Sequence, residues 1–369
     1  MKVVLSGGGT AGHINPALAL AEVLSSQGHE VLFAGTPQGV ESRLVPAAGV
    51  SFKAFEASGF NRRHPLTLFK GMWKIWRSSK LAQAWLRDEG VDVVVCFGGY
   101  VCIPVGYAAE KLGIPVVVHE QNSVMGMANR ELAKKAAAVA LTYEVAGAPL
   151  ADKSKLHVTG NPVRSSVFES TREEGRALLG IPNEAKMLLV FGGSLGARHI
   201  NTALCKLKER LLAIPDLYVV HITGPKELDT VTAELALTQE EQKRWQVMGY
   251  QNRMGETMAA ADLIVSRAGA TSLAEISARC IPAILVPFPF ATDDHQTTNA
   301  RAYVDGGAAW MVADDNVEGE DFANKLLTLI DDEEARASMT KAARAFETGD
   351  AAGKLAELVT ASVATKPMR

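Results

Sequence analysis

The sequence has few cysteines, and none of them has the spacing of a metal site. Four cysteines occur in 369 residues, and they form no CxxC pair. This usage is typical of a chain kept in a reducing cytosol, where disulfides are rare. We therefore expect each thiol to be a small core side chain.

Long apolar runs are also absent from the sequence. No run reaches the ~18 residues needed to cross a bilayer, and the few residues before the first glycines are too short for a signal peptide. Apolar residues make up 47% of the chain and charged residues 21%, which is ordinary for a soluble globular enzyme. A chain of this length predicts two domains. The lack of a long apolar run predicts that none of its helices spans a membrane.

Acidic residues are missing from one long segment. No Asp or Glu lies between Glu56 and Asp88, where lysine and arginine recur. Residues 1–163 carry 16 Lys and Arg against 12 Asp and Glu, whereas residues 164–369 carry 22 against 29. The net charge of −3 therefore hides a basic N-terminal half, which indicates an anionic ligand or surface on that side.

Short apolar runs rich in β-branched residues alternate with longer helical stretches along the chain. The predicted strands cover residues 2–6, 30–34, 91–97, 115–119, 187–191, 217–223, 262–266 and 281–287. Near-continuous apolar strands separated by helices predict parallel sheets covered on both faces.

One weak internal repeat divides the chain. Residues 188–204 repeat the order of strand, glycine turn and helix that is found at residues 3–20. The turn signal Gly-Asn-Pro at residues 160–162 lies between the two copies and breaks regular structure. The predicted parts are an N-terminal domain over residues 1–163, a C-terminal domain over residues 164–350, and a C-terminal helix with a polar tail over residues 351–369.

The first glycine turn has the spacing of a dinucleotide site. Gly7, Gly9 and Gly12 match G-x-G-x-x-G after a predicted strand. A hydride enzyme also needs an acid at the end of the second strand to hold the ribose. Gly-Thr-Pro at residues 35–37 stands there instead, and Glu41 follows only after a proline and a glycine. The turn therefore predicts a phosphate site of another kind, at a helix N-terminus.

His13 directly follows this turn. The bland interpretation is a surface histidine near a helix cap. Open α/β sheets bind ligands at the carboxyl ends of their strands, which favours a functional role for His13.

Three further turns have two interpretations each. Gly98 and Gly99 either admit a ligand or pack a strand against a helix. His119-Glu120-Gln121-Asn122 leaves an apolar strand as a polar cluster typical of a site, although Asn122 or Ser123 could instead cap the next helix. Ser194 lies in a glycine turn before a helix, where it either faces an anion or serves as the N-cap.

The densest group of polar residues lies at residues 262–299. Ser272-x-x-Glu275 has the spacing of a capping box, so Glu275 either closes the helix or holds the two hydroxyls of a ribose. A proline-rich loop then delivers His295, Gln296 and Asn299 to the start of another helix.

Taken in order, these motifs resemble the MurG family, the UDP-N-acetylglucosamine–lipid I N-acetylglucosaminyltransferases of peptidoglycan synthesis. The matching stretches are GGTAGH (8–13), GGYVCIP (98–104), HEQNS (119–123), TGNPVR (159–164), GGSLGA (192–197), RAGATSLAE (267–275) and DDHQTTNA (293–300). They cover most of the chain, and the set is far more specific than any one glycine turn.

The resemblance implies the GT-B glycosyltransferase fold, in which two Rossmann-like, doubly wound parallel-sheet domains face a cleft. The C-terminal domain would hold the UDP-N-acetylglucosamine donor. The N-terminal domain would bind the lipid I acceptor and dock, as a peripheral protein, on the cytoplasmic face of the cell membrane. We expect no cofactor, no nucleic-acid partner and no metal, since no Asp-x-Asp-like cluster lies at the expected diphosphate site.

The resemblance also implies roles for single residues. Glu275 would hold the ribose, Gln251 would lie by the uracil, and Ser194 and Arg164 would lie near the diphosphate. The residues expected around the ribose and phosphate are Ala270, Thr271, Ser272, Leu273 and Ala274. Those expected at the donor sugar are Gln296 and Asn122, with Thr10, Ala11 and Gly12 facing the sugar and diphosphate.

Three positions depart from the family pattern. Many relatives have Gly at the position of Ala11, whose Cβ restricts the backbone. Gln251 stands where an apolar residue is common, and His295-Gln296 replaces a pair of glutamines.

The implied reaction is an inverting transfer. The C4 hydroxyl of N-acetylmuramic acid on lipid I would attack the anomeric carbon of the donor, UDP would leave, and a base would take the hydroxyl proton. His13 is our candidate base, since imidazole exchanges protons near neutral pH. The alternatives are a UDP-sugar epimerase on the same two-domain scaffold and a non-catalytic, membrane-docked nucleotide-sugar binding protein.

Residues 62–86 form the expected membrane-docking face. On a helix, Phe69, Met72, Trp73 and Trp76 share one side, flanked by cations. Tryptophans beside cations suit the headgroup boundary of an anionic membrane. The alternative is that this apolar stripe packs on the domain core.

Overall fold

A computed structural model of the chain describes residues 1–57, 65–193, 196–291, 294–346 and 349–364. The chain forms two compact units. One comprises Met1–Arg164 together with the C-terminal segment from Asp350, and the other comprises Ser165–Gly349. The division after Arg164 lies one residue from the predicted boundary.

The first unit is built on a parallel sheet, which has seven strands in the described residues. The strands are β1 (Lys2–Ser6), β2 (Glu30–Gly35), β3 (Ser51–Ala54), β4 (Val93–Cys96), β5 (Val116–Glu120), β6 (Ala138–Leu141) and β7 (Leu156–Val158). Their order in the sheet is β3-β2-β1-β4-β5-β6-β7. Every residue of β4 and β5 is buried, because helices cover both faces, and this burial explains the apolar runs at residues 93–96 and 116–118.

Helices connect these strands. They are α1 (Ala11–Ser26), α2 (Glu41–Ala47), α3 (Pro65–Asp88), α4 (Cys102–Leu112) and α5 (Met127–Ala133). The apolar residues Ile14, Leu18 and Leu24 of α1 pack with Val3 and Leu5 of β1, so that α1 runs back along the sheet from the turn at its N-terminus.

The second unit repeats the plan with six parallel strands among the residues described. They are β8 (Lys186–Phe191), β9 (Leu217–Ile222), β10 (Trp245–Met248), β11 (Leu263–Ser266), β12 (Ala283–Leu285) and β13 (Ala309–Met311). Their order is β10-β9-β8-β11-β12-β13.

The helices of this unit cover both faces of its sheet. They are α6 (Ser165–Glu169), α7 (Arg172–Leu179), α8 (Arg198–Lys206), α9 (Lys208–Leu212), α10 (Leu228–Leu235), α11 (Gln239–Gln242), α12 (Met254–Ala260), α13 (Ala270–Ala278), α14 (His295–Asp305), α15 (Glu320–Asp331) and α16 (Glu333–Ala343). Separate apolar clusters lie on the two sides of the sheet.

The last helix of the chain, α17 (Ala351–Ala364), packs on the first unit. Its Leu355, Ala356 and Val359 are completely buried in the same apolar cluster as β1 and α1. The C-terminal helix that we predicted from residue 351 is therefore part of the N-terminal core, although it follows the second unit in sequence.

Each sheet has a switch point at its centre. β1 pairs with β2 on one side and with β4 on the other, and β8 pairs with β9 and β11 in the same manner. Parallel neighbours end at the same edge, so the loops after β1 and β4 are adjacent, as are the loops after β8 and β11. Crevices at such points are where open α/β sheets bind ligands.

Candidate active site

The first glycine turn leads directly into α1. Thr10 is the N-cap in an extended conformation, with φ −141° and ψ 153°, and its exposed side chain makes no capping hydrogen bond. Ala11 and Gly12 form the first turn of α1 and are half-buried. The turn therefore presents a hydroxyl and the N-terminus of a 16-residue helix at the carboxyl edge of the sheet, an arrangement that favours an anion.

His13 is held in one orientation by the turn that precedes it. Its Nδ1 lies 2.8 Å from the carbonyl oxygen of Gly8. A carbonyl oxygen only accepts, so Nδ1 carries the proton, and the neutral ring keeps its lone pair on Nε2. That tautomer can accept a proton at Nε2.

Gly98 and Gly99 let the turns after β1 and β4 approach closely. A Cβ on Gly98 would lie 3.0 Å from Nε2 of His13, and one on Gly99 would lie 2.5 Å from the carbonyl oxygen of Gly8. The N–H of Gly8 also donates to the carbonyl of Gly98 over 3.2 Å. Gly98 and Gly99 thus pack one turn against another, whereas the packing alternative drawn from the sequence was a strand against a helix.

Glu41 is a site residue that sequence reasoning missed. It is completely buried beneath the first turn, and one of its carboxylate oxygens accepts from the N–H of Gly9 over 3.3 Å. We had considered this acid only as a ribose ligand that stood too far along the chain. The available signal was an acid at the start of the helix after the second strand.

Asn122 lies in the loop after β5, and Glu120 orients it. The buried carboxylate of Glu120 accepts from the backbone N–H of Asn122 over 3.0 Å and from its side-chain amide over 3.3 Å. The same carboxylate accepts from the N–H of Gly126 and from the amide of Asn129. The helix-cap alternative is wrong, because α5 begins at Met127 with Gly126 as its N-cap.

His119 has a structural role in the interior of the first unit. It is completely buried, which lowers the pKa of its ring to about 4. Its Nε2 donates to the carbonyl oxygen of Gly160 over 3.0 Å, and its Nδ1 accepts from the amide of Gln121. The ring is therefore neutral at pH 7 and ties the end of β5 to the segment before Arg164.

Arg164 lies at the end of the first unit and pairs with α1. Its Nε and Nη2 donate to one carboxylate oxygen of Glu22 over 2.8 and 2.7 Å. The expected contact with a diphosphate would require this ion pair to open or to be shared.

In the second unit, the loop after β8 leads into α8 through another glycine turn. Gly196 has φ +81°, and a Cβ there would lie 2.1 Å from the carbonyl oxygen of Thr223, so only glycine fits. Ser194, which we expected at the diphosphate, lies outside the described residues.

The helix that we expected around the ribose begins earlier than the capping-box pattern suggests. Gly269 is the N-cap of α13 and Ala270 its first residue. Ser272 is therefore inside the helix, and Glu275 is its sixth residue. The capping-box alternative is therefore wrong, because Gly269 and not Ser272 is the N-cap.

The residues of α13 differ in what their side chains can reach. Leu273 is completely buried in the core, and Ala270, Thr271 and Ala274 are also buried. Contacts of this segment with a ligand would therefore rely on the backbone and on the half-buried Ser272. Glu275 is 8% exposed, as a carboxylate at the base of the turn.

α14 is tied to both neighbouring loops by its polar residues. Gln296 accepts from the N–H of Phe288 over 2.9 Å, and the buried Asn299 donates to the carbonyl oxygen of Ala268 over 3.4 Å. The start of α14 is therefore held against the turn before α13.

Gln251 lies beyond this group, in the loop between β10 and α12. Its side-chain oxygen accepts from the N–H of Arg253 over 2.9 Å, and its amide lies 3.7 Å from the sulfur of Met248. β10 is two strands from β8 in the sheet, so Gln251 is one end of an extended row of loops.

Arg267 and Asp314 form a second buried group that the sequence did not reveal. Arg267 pairs with Asp314 and donates to the carbonyl oxygens of Val286 and Pro287. His199 of α8 contacts the same carboxylate over 2.7 Å. The group joins the loops after β11 and β12 to α8. The sequence feature that could have indicated it is Arg267, the first residue of RAGATS.

The described residues contain neither a metal-ion cluster nor a membrane-spanning helix. Within those ranges, no three His, Cys, Asp or Glu side chains are placed to hold a metal ion. Likewise, none of the helices described there has both the length and the apolarity needed to cross a bilayer.

Comparison with known proteins places the chain in a family. Residues 3–141 match the glycosyltransferase family 28 N-terminal domain, and residues 187–355 match the C-terminal domain of that family. The crystal structure of Acinetobacter baumannii MurG superposes with a TM-score of 0.72 and 29% identity, covering 98% of this chain and 99% of that one. The chain belongs to the MurG family.

Curated relatives carry the full name of the MurG activity. The UDP-N-acetylglucosamine–N-acetylmuramyl-(pentapeptide) pyrophosphoryl-undecaprenol N-acetylglucosamine transferase of Halothermothrix orenii is 40% identical over 337 residues, covering 90% of this chain and 91% of the relative. The protein of that name from Leuconostoc mesenteroides is 39% identical over 361 residues, covering 97% and 98%.

These matches confirm two expectations drawn from the sequence. The MurG resemblance is correct, and the fold is the GT-B type with two Rossmann-like parallel-sheet domains. Because the relatives are named as transferases, the epimerase alternative is not favoured.

Proposed function

We propose that this chain moves N-acetylglucosamine from UDP-N-acetylglucosamine to the C4 hydroxyl of N-acetylmuramic acid in lipid I, with inversion, to form lipid II and UDP. The observation that carries the proposal is His13, whose Nδ1 is bound to the Gly8 carbonyl and whose Nε2 faces the bare Gly98 at the switch point. A neutral imidazole in that state is suited to remove a proton from a hydroxyl.

The reaction needs one base and a stabilised leaving group. As the C4 oxygen bonds to the anomeric carbon, Nε2 of His13 accepts the hydroxyl proton and the bond from that carbon to the UDP oxygen breaks. The departing diphosphate gains negative charge, which helix N-termini with their N–H groups stabilise. Those of α1, α8 and α13 all open at carboxyl edges of the sheets.

The second unit would hold the donor. Glu275 would accept from the ribose hydroxyls, Gln251 would lie by the uracil, and Gln296 would contact the sugar. Residues 270–274 and Ser194 would surround the ribose and phosphates. In the first unit, Asn122 and the Thr10-Ala11-Gly12 turn would contact the sugar and diphosphate, and Arg164 would join them by leaving or sharing Glu22.

We further propose that residues 62–86 dock on the anionic, cytoplasmic face of the cell membrane. The peptidoglycan precursor made there would serve cell shape and cell division. Trp73 and Trp76 are each 57% exposed, and the guanidinium of Arg77 lies 5.5 Å from the Trp73 ring centre. The opposite side of α3 is buried through Ser78, Ala82 and Leu86. This division supports docking over core packing of the stripe at these two tryptophans.

The deciding experiment incubates the full chain with radiolabelled UDP-N-acetylglucosamine and a water-soluble lipid I analogue. We expect label in the acceptor product and release of UDP only when both substrates are present. Conversion of the donor sugar without an acceptor would support the epimerase instead. Binding of the donor without any turnover would support the non-catalytic alternative.

A further inference from the structure

The carboxylate of Glu41 is enclosed by the first glycine turn and by the turn after β2. Its Oε1 accepts from the N–H and the hydroxyl of Thr36 over 2.9 and 2.6 Å, and its Oε2 accepts from the N–H of Gly9 over 3.3 Å. Among the described residues, no lysine, arginine or histidine pairs with it. A fully buried carboxylate is thus held only by neutral donors.

Three glycines provide the space for this carboxylate. A Cβ on Gly8, Gly35 or Gly39 would lie 2.6, 2.6 or 2.1 Å from an atom of Glu41. Those distances are far inside van der Waals contact, so a side chain at any of these positions would displace the side chain of Glu41 from its observed place. Glycine at the end of β2 and in the two turns therefore leaves the space that the Glu41 carboxylate occupies.

A single peptide unit connects Glu41 with His13. The N–H of the Gly8–Gly9 peptide donates to Glu41, and the carbonyl oxygen of the same peptide accepts from Nδ1 of His13 over 2.8 Å. The unit is planar and rigid, so the carboxylate fixes the direction of that carbonyl. Hydrogen bonds in series also polarise one another, which makes the Gly8 oxygen a stronger acceptor.

We propose that Glu41 is a positioning residue that acts on His13 through the Gly8–Gly9 peptide. It holds the ring in the Nδ1–H tautomer and makes Nε2 a stronger base. Carboxylates often do this by bonding directly to an imidazole; here one peptide unit lies between them. The effect on turnover rests on the proposed role of His13 as the base, whereas the effect on the tautomer does not.

Glu41→Gln is the informative variant, because it keeps the shape and removes the charge. Both carboxylate oxygens accept from backbone N–H groups, so the amide of a glutamine would place its NH₂ against one of those donors. Thr36→Val is the matched control, since it removes one bond to Oε1 and leaves the bond from Gly9. If Glu41 only ties the turns together, the two variants should lower stability without changing His13.

The first measurement is ¹⁵N nuclear magnetic resonance of the full chain labelled at histidine, with His13→Ala to assign the signals. We expect the Nδ1–H pattern for His13 in the wild type and in Thr36→Val, and a mixture of tautomers in Glu41→Gln. An Nε2–H pattern in the wild type would overturn the proposal without any variant. So would an unchanged His13 signal in folded Glu41→Gln.

The second measurement is the pH dependence of turnover. Glu41→Gln should lower kcat roughly 10-fold to 100-fold, as expected for a lost charge-assisted hydrogen bond, and should move the acid limb of the profile to lower pH. KM for the donor should stay within about 2-fold, since the expected loss is confined to the base. If Glu41→Gln changes the tautomer of His13 but His13→Ala keeps full turnover, His13 is not the base. That result would still support the effect of Glu41 on the His13 ring.

Discussion

At the scale of single residues, the chemistry depends on which atoms of His13 are occupied. The Gly8 carbonyl occupies Nδ1, and Gly98 has no side chain, whose Cβ would lie 3.0 Å from Nε2. A histidine that merely caps a helix would not need either feature. The geometry therefore supports a role in proton transfer, which kinetics can separate from a role in donor binding.

His13→Ala should lower kcat by ~10²–10⁴-fold, the usual contribution of a positioned base. Binding of UDP-N-acetylglucosamine, measured by calorimetry, should change little because the ring does not contact the donor in this proposal. His29→Ala, in the turn between α1 and β2, is the matched control and should retain full activity. A loss confined to donor affinity would instead assign His13 to phosphate binding.

At the scale of secondary-structure elements, the position of a residue within its helix changes its meaning. Glu275 is the sixth residue of α13 and lies outside the first turn, so it cannot satisfy the N-terminal N–H groups of that helix as a cap does. A nearly buried carboxylate at that position is compatible with the proposed role toward the ribose hydroxyls. Position within the helix also matters in α3. Trp73 and Trp76 lie on its exposed side, and Ala82 and Leu86 lie on its buried side.

Glu275→Ala should weaken binding of UDP about 10-fold to 100-fold, because each hydrogen bond to a charged group contributes about 1.5–3 kcal/mol. Isothermal calorimetry with UDP and with uracil alone measures the loss. Uracil should bind both forms equally, and the exposed Glu334→Ala should behave as wild type. Equal UDP affinity in Glu275→Ala would remove the ribose role.

Replacing Trp73 by Ala and Lys70, Lys74 and Arg77 by Gln should release the chain from anionic vesicles. Each cation near an anionic surface contributes about 1 kcal/mol, and the tryptophan adds apolar burial at the interface. Cosedimentation with phosphatidylglycerol and phosphatidylcholine vesicles compares the two surfaces.

The matched control for this variant changes three exposed lysines elsewhere in the first unit, Lys134, Lys135 and Lys153, to Gln. The control removes the same number of positive charges as the α3 variant, but at positions outside α3. It should therefore still sediment with anionic vesicles. If the α3 variant and the control sediment alike, α3 is not the docking face. UDP binding by both variants checks that they remain folded.

At the scale of the whole molecule, a deeply buried histidine in each unit resists protonation. Burial lowers the pKa of His119 and of His221 to about 4. An unfolded chain has histidines with pKa near 6.5, so between about pH 6.5 and 4 the unfolded state binds protons that the folded state does not. The stability that these residues contribute is therefore complete above pH 6.5 and is lost as the pH falls toward 4.

The free energy of unfolding should decrease by about 1.4 kcal/mol per pH unit for each of these histidines across that range. His221→Gln, which preserves a donor toward Asn201, should flatten the decrease for the second unit. Urea unfolding at pH 7 and pH 5, followed by the fluorescence of Trp245 beside His221, measures the difference. An equal decrease in both proteins would contradict the assignment.

Much of the local structure could be predicted because its causes are local. The apolar run at residues 2–6, the glycines after it and the helical pattern that follows together indicated β1, the turn and α1. The short or less apolar strands were missed, among them β3, β7 and β13. β3 and β7 are largely exposed, at the edges of their sheet, and such strands exist only because a neighbour pairs with them.

The sequence by itself determined the family, the two parallel sheets and the glycine turns, since periodicity and glycine positions are properties of contiguous residues. Only the tertiary structure decided which side chains meet. Glu41 lies beneath Gly9, Arg164 pairs with Glu22, α17 completes the first core, and Gly98 packs against His13. Each of these contacts depends on the order of strands in a sheet, which brings together residues up to hundreds of positions apart and leaves no mark in the local pattern.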